Sequence, residues 1–118
     1  MFYLDGMGWL VNRTPHTVVV DIDGVRVEIP VGGEPIRLAE NRTNVAPMLD
    51  LVSYQLSDLP EPAYGPDGSQ VRFIVSNPVA QAAAAAGRKD FVAPDTGKGA
   101  IRDGDGKIVA VRGFICFF

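Results

Sequence analysis

VRFIVSNPVAQAAAAAGRKDFVAP, residues 71–94, carries the one unambiguous helix signal of this chain, with an apolar segment on each side. Ser76 or Asn77 offers a short side-chain oxygen to the unpaired N–H groups of a first turn, and Pro78 sits where a missing N–H is no loss. Ala80 and Ala82 to Ala86 have high helix propensity. Gly87 can take the left-handed conformation that ends a helix, and Arg88 and Lys89 follow at the end whose dipole favours cations. The pattern predicts a helix over Pro78 to Ala86, about two and a half turns at ~3.6 residues each, too short to be stable without packing. Its methyl-only surface suits close approach to a sheet, and capping at both ends argues against a polyalanine linker. Strands are expected at Val71–Ser76 and Phe91–Val92. The connection between them is long enough for a parallel pair, which would be right-handed.

Everything outside this unit reads as strands and turns. Met1 to Leu4 and Trp9 to Asn12 are short extended pieces divided by Gly6 and Gly8. Thr17 to Ile22 is a β-branched run, Asp23-Gly24 is a two-residue hairpin turn, and Val25, Val27 and Ile29 alternate with Arg26 and Glu28. Pro30 to Pro35 reads as a turn, and Ile36 to Glu40 as a further alternating strand. Asn41 to Pro47 is expected to be a loop. Met48 to Leu59 fits neither period cleanly, but Val52, Tyr54 and Leu56 favour a strand. The prolines and glycines of Leu59 to Ser69 predict the longest irregular segment, a surface loop where binding function can reside. Asp95 to Gly99 is a turn. Ala100–Arg102 and Lys107–Val111 form a second hairpin around Asp103-Gly104-Asp105-Gly106. The apolar end Phe114-Ile115-Cys116-Phe117-Phe118 must be buried as a last strand or exposed as a contact surface.

These elements predict an α+β fold dominated by β structure: six to eight short, mostly antiparallel strands in one curved sheet or a small barrel, with the Ala-rich helix against it. At 118 residues and 47% hydrophobic content the chain is expected to be one domain with one core. A net charge of −3, with eleven basic residues scattered along the chain, argues against a general nucleic-acid-binding surface. The single cysteine, Cys116, excludes an internal disulfide framework and offers no zinc cluster. No apolar run approaches the ~20 residues of a membrane span, and Asp5 interrupts any signal-peptide pattern, so a soluble, unexported protein in a reducing cytoplasm is expected. Asn12-Arg13-Thr14 and Asn41-Arg42-Thr43 match the glycosylation acceptor pattern but read more simply as turn or capping residues.

Motifs with chemistry are sparse. Asp95-Thr96-Gly97-Lys98-Gly99 lacks the spacing, the hydroxyl and the following helix of a phosphate loop. Asp95 as an aspartic-protease half-site would need a homodimer, and the surroundings do not match one. Asp103 to Lys107 lacks the spacing and terminal Glu of a calcium loop. No catalytic residue, metal ligand or cofactor motif is therefore assigned. His16, the only histidine, is expected to be a turn residue; no spacing singles out a nucleophile for it. Arg88, Asp90, Arg102, Asp103 and Arg112 are candidates for ion pairs around the helix end or for an anion pocket.

Several motifs together carry a resemblance. They are Asn12-x-Thr14-Pro15-His16-x-Val18, Leu59-Pro60-x-Pro62, Phe73-Ile74-Val75-Ser76-x-x-Val79-Ala80, Arg88-x-Asp90-Phe91-Val92-x-Pro94 and Ile101-Arg102-Asp103-x-x-Gly106-Lys107-Ile108. Over about residues 12 to 113 the chain resembles a group of small proteins with an N-x-T-P-H motif, encoded by bacteriophages and prophages, several from actinobacterial hosts. Residues 1–11 then look like an N-terminal extension and residues 114–118 like an apolar C-terminal tail. The resemblance implies a phage accessory protein in the host cytoplasm. The apolar termini, the Pro-rich loop and the lack of catalytic machinery favour one that binds and perturbs a host component, such as a host protein, without catalysis and is toxic to the host when expressed alone. The alternative is a small-ligand or nucleotide-binding protein, or a hydrolase, with a polar pocket near the helix ends at His16, Ser76, Arg88, Asp90 and Arg102. Homo-oligomerisation would be the natural way to cover an aromatic tail not buried in its own subunit.

Overall fold

In the computed structural model, which describes residues 1–56 and 59–118, the 71–94 unit is a strand–helix–strand at the centre of the molecule. Strands β1 (Phe2–Leu4) and β2 (Gly8–Asn12) precede it, followed by β3 (Val18–Ile22), β4 (Val25–Ile29), β5 (Leu38–Ala46) and β6 (Leu49–Leu56). The unit itself is β7 (Arg72–Ile74), α1 (Asn77–Ala85) and β8 (Phe91–Pro94), and β9 (Ala100–Arg102), β10 (Ile108–Val111) and β11 (Phe114–Ile115) complete the chain.

The central sheet has the order β1-β2-β7-β8-β11. Its inner pairs β2/β7 and β7/β8 are parallel, and its outer pairs are antiparallel. A second sheet runs β4-β3-β10-β9, and β5 and β6 form a separate two-stranded ribbon. The α+β, β-dominated class is observed, as open sheets of mixed direction rather than a closed barrel, and with more strands than the sequence predicts.

Period-two alternation explains the layering. Leu10, Ile74 and Val92 point to one side of the central sheet and pack with Val18, Val20, Ile29 and Val111 of the second sheet. Phe73, Val75, Phe91 and Ala93 point to the other side and pack with Val79, Ala80 and Ala83 of α1. The Phe73 and Phe91 rings stack with centroids 5.2 Å apart. Burial of one such ring stabilises by about 1.5–3 kcal/mol. The alanines bring the helix close to the sheet, as their small side chains predict. Residues 1–11 supply β1 and β2, with Leu4 and Leu10 buried in the inter-sheet core.

Helix ends follow the sequence with one exception. The Gly87 N–H donates to Ala84 O and the Arg88 N–H to Ala83 O, the paired bonds of a Schellman motif, with Gly87 at φ +89. Ser76 occupies the N-cap position, yet no side chain caps the first turn. Asp23 and Gly24, with φ 52 and 86, form the primed turn expected of an Asp-Gly hairpin.

The largest correction concerns Asn41–Pro47, which is strand rather than loop through Ala46. β5 and β6 pair antiparallel from Leu38↔Leu56 out to Ala46↔Leu49. The sequence concealed β5 because Asn41, Arg42, Thr43 and Asn44 present no apolar face, and none is needed where both faces of the ribbon are wet. At about 3.4 Å per residue, nine residues make an arm of roughly 30 Å. The radius of gyration, 16.1 Å, exceeds the ~13.5 Å of a compact chain this long because the arm projects. Positions 57 and 58 of the Met48–Leu59 reading lie outside the described residues. The apolar C-terminus divides: β11 pairs with β8, while Phe117 and Phe118 are exposed. Among the described residues no helix is long and apolar enough to cross a membrane.

Candidate functional site

The three parallel strands β2, β7 and β8 end on the same edge of the central sheet, so the segments following them converge there. After β2 comes Asn12-Arg13-Thr14-Pro15-His16, and its conformation is dictated by one buried side chain. The Asn12 amide donates to His16 O at 2.8 Å and to Ile29 O at 3.0 Å. Its Oδ1 accepts from the Thr14 N–H at 3.0 Å and the Thr14 hydroxyl at 2.7 Å. Asn12 is 1% exposed, and every one of its polar positions is used. The motif residues Asn12 and Thr14 thus fold the loop and tie it to β4, leaving the His16 side chain on the surface.

His16 and Ser76 line one cleft of about 480 Å³, between this loop, the start of α1 and strands β3 and β10. β3 and β10 pair in parallel at only Val20↔Val111, and the cleft opens where they diverge. Val19, Val75, Ile108 and Val109 form apolar walls, and Thr17, Asn77 and Thr96 add neutral polar groups. Among the described residues no Asp, Glu, Lys or Arg lines it.

The other three candidates lie elsewhere. Arg88 and Asp90 face each other at the C-terminal end of α1, in a two-pronged pair at 3.0 and 2.7 Å. Asp90 is 2% exposed, and the Arg88 guanidinium lies 5.0 Å from the Phe91 ring centroid. The hydrogen bond to Asp90 raises the Arg88 pKa further above its ordinary value. This arrangement satisfies a buried carboxylate, and both forks are occupied. Arg102 donates to Gly106 O at 2.7 Å and braces the second hairpin turn, whose Asp103 accepts from the Asp105 and Lys107 N–H groups. Asp95 likewise closes its own turn, accepting from the Gly97 N–H at 3.1 Å.

The sequence reading placed Asn12 in a motif and a turn without its buried bonding role, and did not foresee the arm. The arm exposes Val45, Met48, Leu49, Leu51, Val52 and Tyr54. Of two surface ion pairs, Arg42 with Glu40 lies along β5 and Arg42 with Asp50 crosses to β6, each worth only about 0–1 kcal/mol. A lone two-stranded ribbon is marginally stable in water, and both its edges offer unpaired backbone groups. Comparison with protein-family models, curated proteins and solved structures finds no match for this chain.

Proposed function

We propose that this protein is a non-enzymatic, phage-type accessory protein that binds a host protein through the β5–β6 arm, adding an extended segment of that partner to an open arm edge. The observation that carries this reading is a ribbon of roughly 30 Å whose exposed side chains include six large apolar ones. Main-chain pairing supplies affinity in this mode, and alternate side chains such as Leu49 and Leu51 supply specificity. The resemblance of the N-x-T-P-H segment to phage and prophage proteins supports a bacterial host cytoplasm as the setting.

The test is a photo-crosslinking residue in place of Leu51, read out in a bacterial host alongside growth. A defined host protein should be captured, expression should slow growth, and Leu49→Arg should abolish both. Unchanged capture and growth inhibition with Leu49→Arg would contradict the reading, as would crosslinks only to a second copy of the chain.

The His16–Ser76 cleft favours a second reading, an uncharged small ligand held between apolar walls and rimmed by neutral hydrogen-bonding groups. Adenosine, as an uncharged heteroaromatic probe, should then perturb the amides of Val19 and Val109. Loss of those shifts in Thr17→Trp, an exposed change in the cleft lining, would support the reading; absence of shifts in the wild-type chain would end it.

A further inference from the structure

On the opposite side of the Thr14–Ser76 wall lies a separate groove of about 440 Å³. We propose that it binds a small molecule bearing one oxyanionic group, a carboxylate or a phosphate monoester, on a flat apolar body. Among the described residues, Arg13 and Arg37 are the only charged ones lining it, and neither makes an ion pair. Two guanidiniums sharing one groove on a chain of net charge −3 form a local positive site on an acidic protein.

Arg13 is already oriented. Its Nε donates to Glu34 O at 2.5 Å, which fixes the side chain and leaves its terminal N–H groups to face a ligand. Arg37 approaches from the segment leading into β5 and is exposed. Planar guanidiniums pair with carboxylate and phosphate oxygens through two parallel hydrogen bonds. Between the arginines the surface is apolar: Ile36 and Val79 are buried beneath it, Pro35 and Pro78 flank it, and Tyr54 stands over it from the base of the arm. The Ser76 hydroxyl, which makes no capping bond, is on the rim. Charge at the mouth and a flat apolar floor match an aromatic acid or an aryl phosphate better than a free inorganic ion.

The experiment is an NMR titration of the full chain with phenyl phosphate, benzoate, inorganic phosphate and uncharged benzyl alcohol. Phenyl phosphate or benzoate should give saturable shifts at Ile36, Arg37, Tyr54 and Val79, and whichever binds tighter identifies the oxyanion. Arg37→Ala, an exposed change that preserves folding, should weaken that probe by about tenfold, the scale of a charge-assisted pair, and leave benzyl alcohol unaffected. Tyr54→Ala should reduce the preference over inorganic phosphate. Equal binding of benzyl alcohol, equal affinity in Arg37→Ala, or no saturable shift at millimolar probe would each overturn the proposal.

Discussion

The 71–94 unit and the β5–β6 arm are two ways of ordering strands, and they rest on different physics. β7 and β8 are short, three and four residues, yet five of their seven side chains are buried between a helix and a second sheet. β5 and β6 are nine and eight residues long, and nearly every side chain is exposed. The first is held by packing on two faces, the second by its backbone ladder. Ladder length therefore says little about local stability; contact with a core decides it. A region supported this weakly and exposing this much apolar surface is suited to gaining its missing contacts from a partner.

The sharpest break of the body is Arg88→Ala, which strands the buried Asp90 carboxylate without its partner. Loss of about 3–5 kcal/mol is expected in urea unfolding. Asn12→Ala should cost about 2–3 kcal/mol, because the Ile29 carbonyl and the Thr14 N–H lose their partner where the loop is tied to β4. Gly87→Ala, forced into a left-handed conformation, should cost about 1 kcal/mol. In the arm, by contrast, Leu51→Ser should change global stability by less than about 0.5 kcal/mol, in the range of ordinary surface substitutions. A loss comparable to that of Asn12→Ala would erase the distinction between the regions.

The smallest effect belongs to Asp67, in the loop that joins arm to body. Its pKa is held below the ordinary 3.8, first by the hydrogen bond from the Ser69 hydroxyl at 2.6 Å and then by the Ser69 N–H. Since the folded value is the lower one, its contribution is present above pH 3.8 and is lost as pH falls through that depressed value. Asp67→Asn should remove a small acid-dependent slope there; an identical stability–pH curve would contradict it.

The same contrast explains what could be read in advance. The helix, its Gly87 stop, the Asp23-Gly24 turn and the second hairpin are written in local chemistry, and all are present. The Asn41–Ala46 strand was hidden because a strand wet on both faces carries no alternation. The loop function of Asn12 was visible only as a turn preference, since its partners include Ile29, seventeen residues away. Of the five candidate residues, His16 and Ser76 share a cleft because β2 and β7 run parallel and end together. Arg88 and Asp90 sit beyond the other end of the helix, and Arg102 at the end of β9 in the second hairpin. Arg13 and Arg37 meet only through tertiary structure, as does the Gly32–Asn12 backbone bond that brings their segments together.

Backbone amide hydrogen exchange on the isolated chain measures the difference directly. The amides of Phe73 and Val75, bonded to Asp90 O and Val92 O, should exchange only through global unfolding. The amides bonded between β5 and β6 should exchange through local opening with a far smaller free energy, and those on the open edges should gain protection when a partner is bound. Arm amides as protected as Phe73 in the isolated chain would contradict the account.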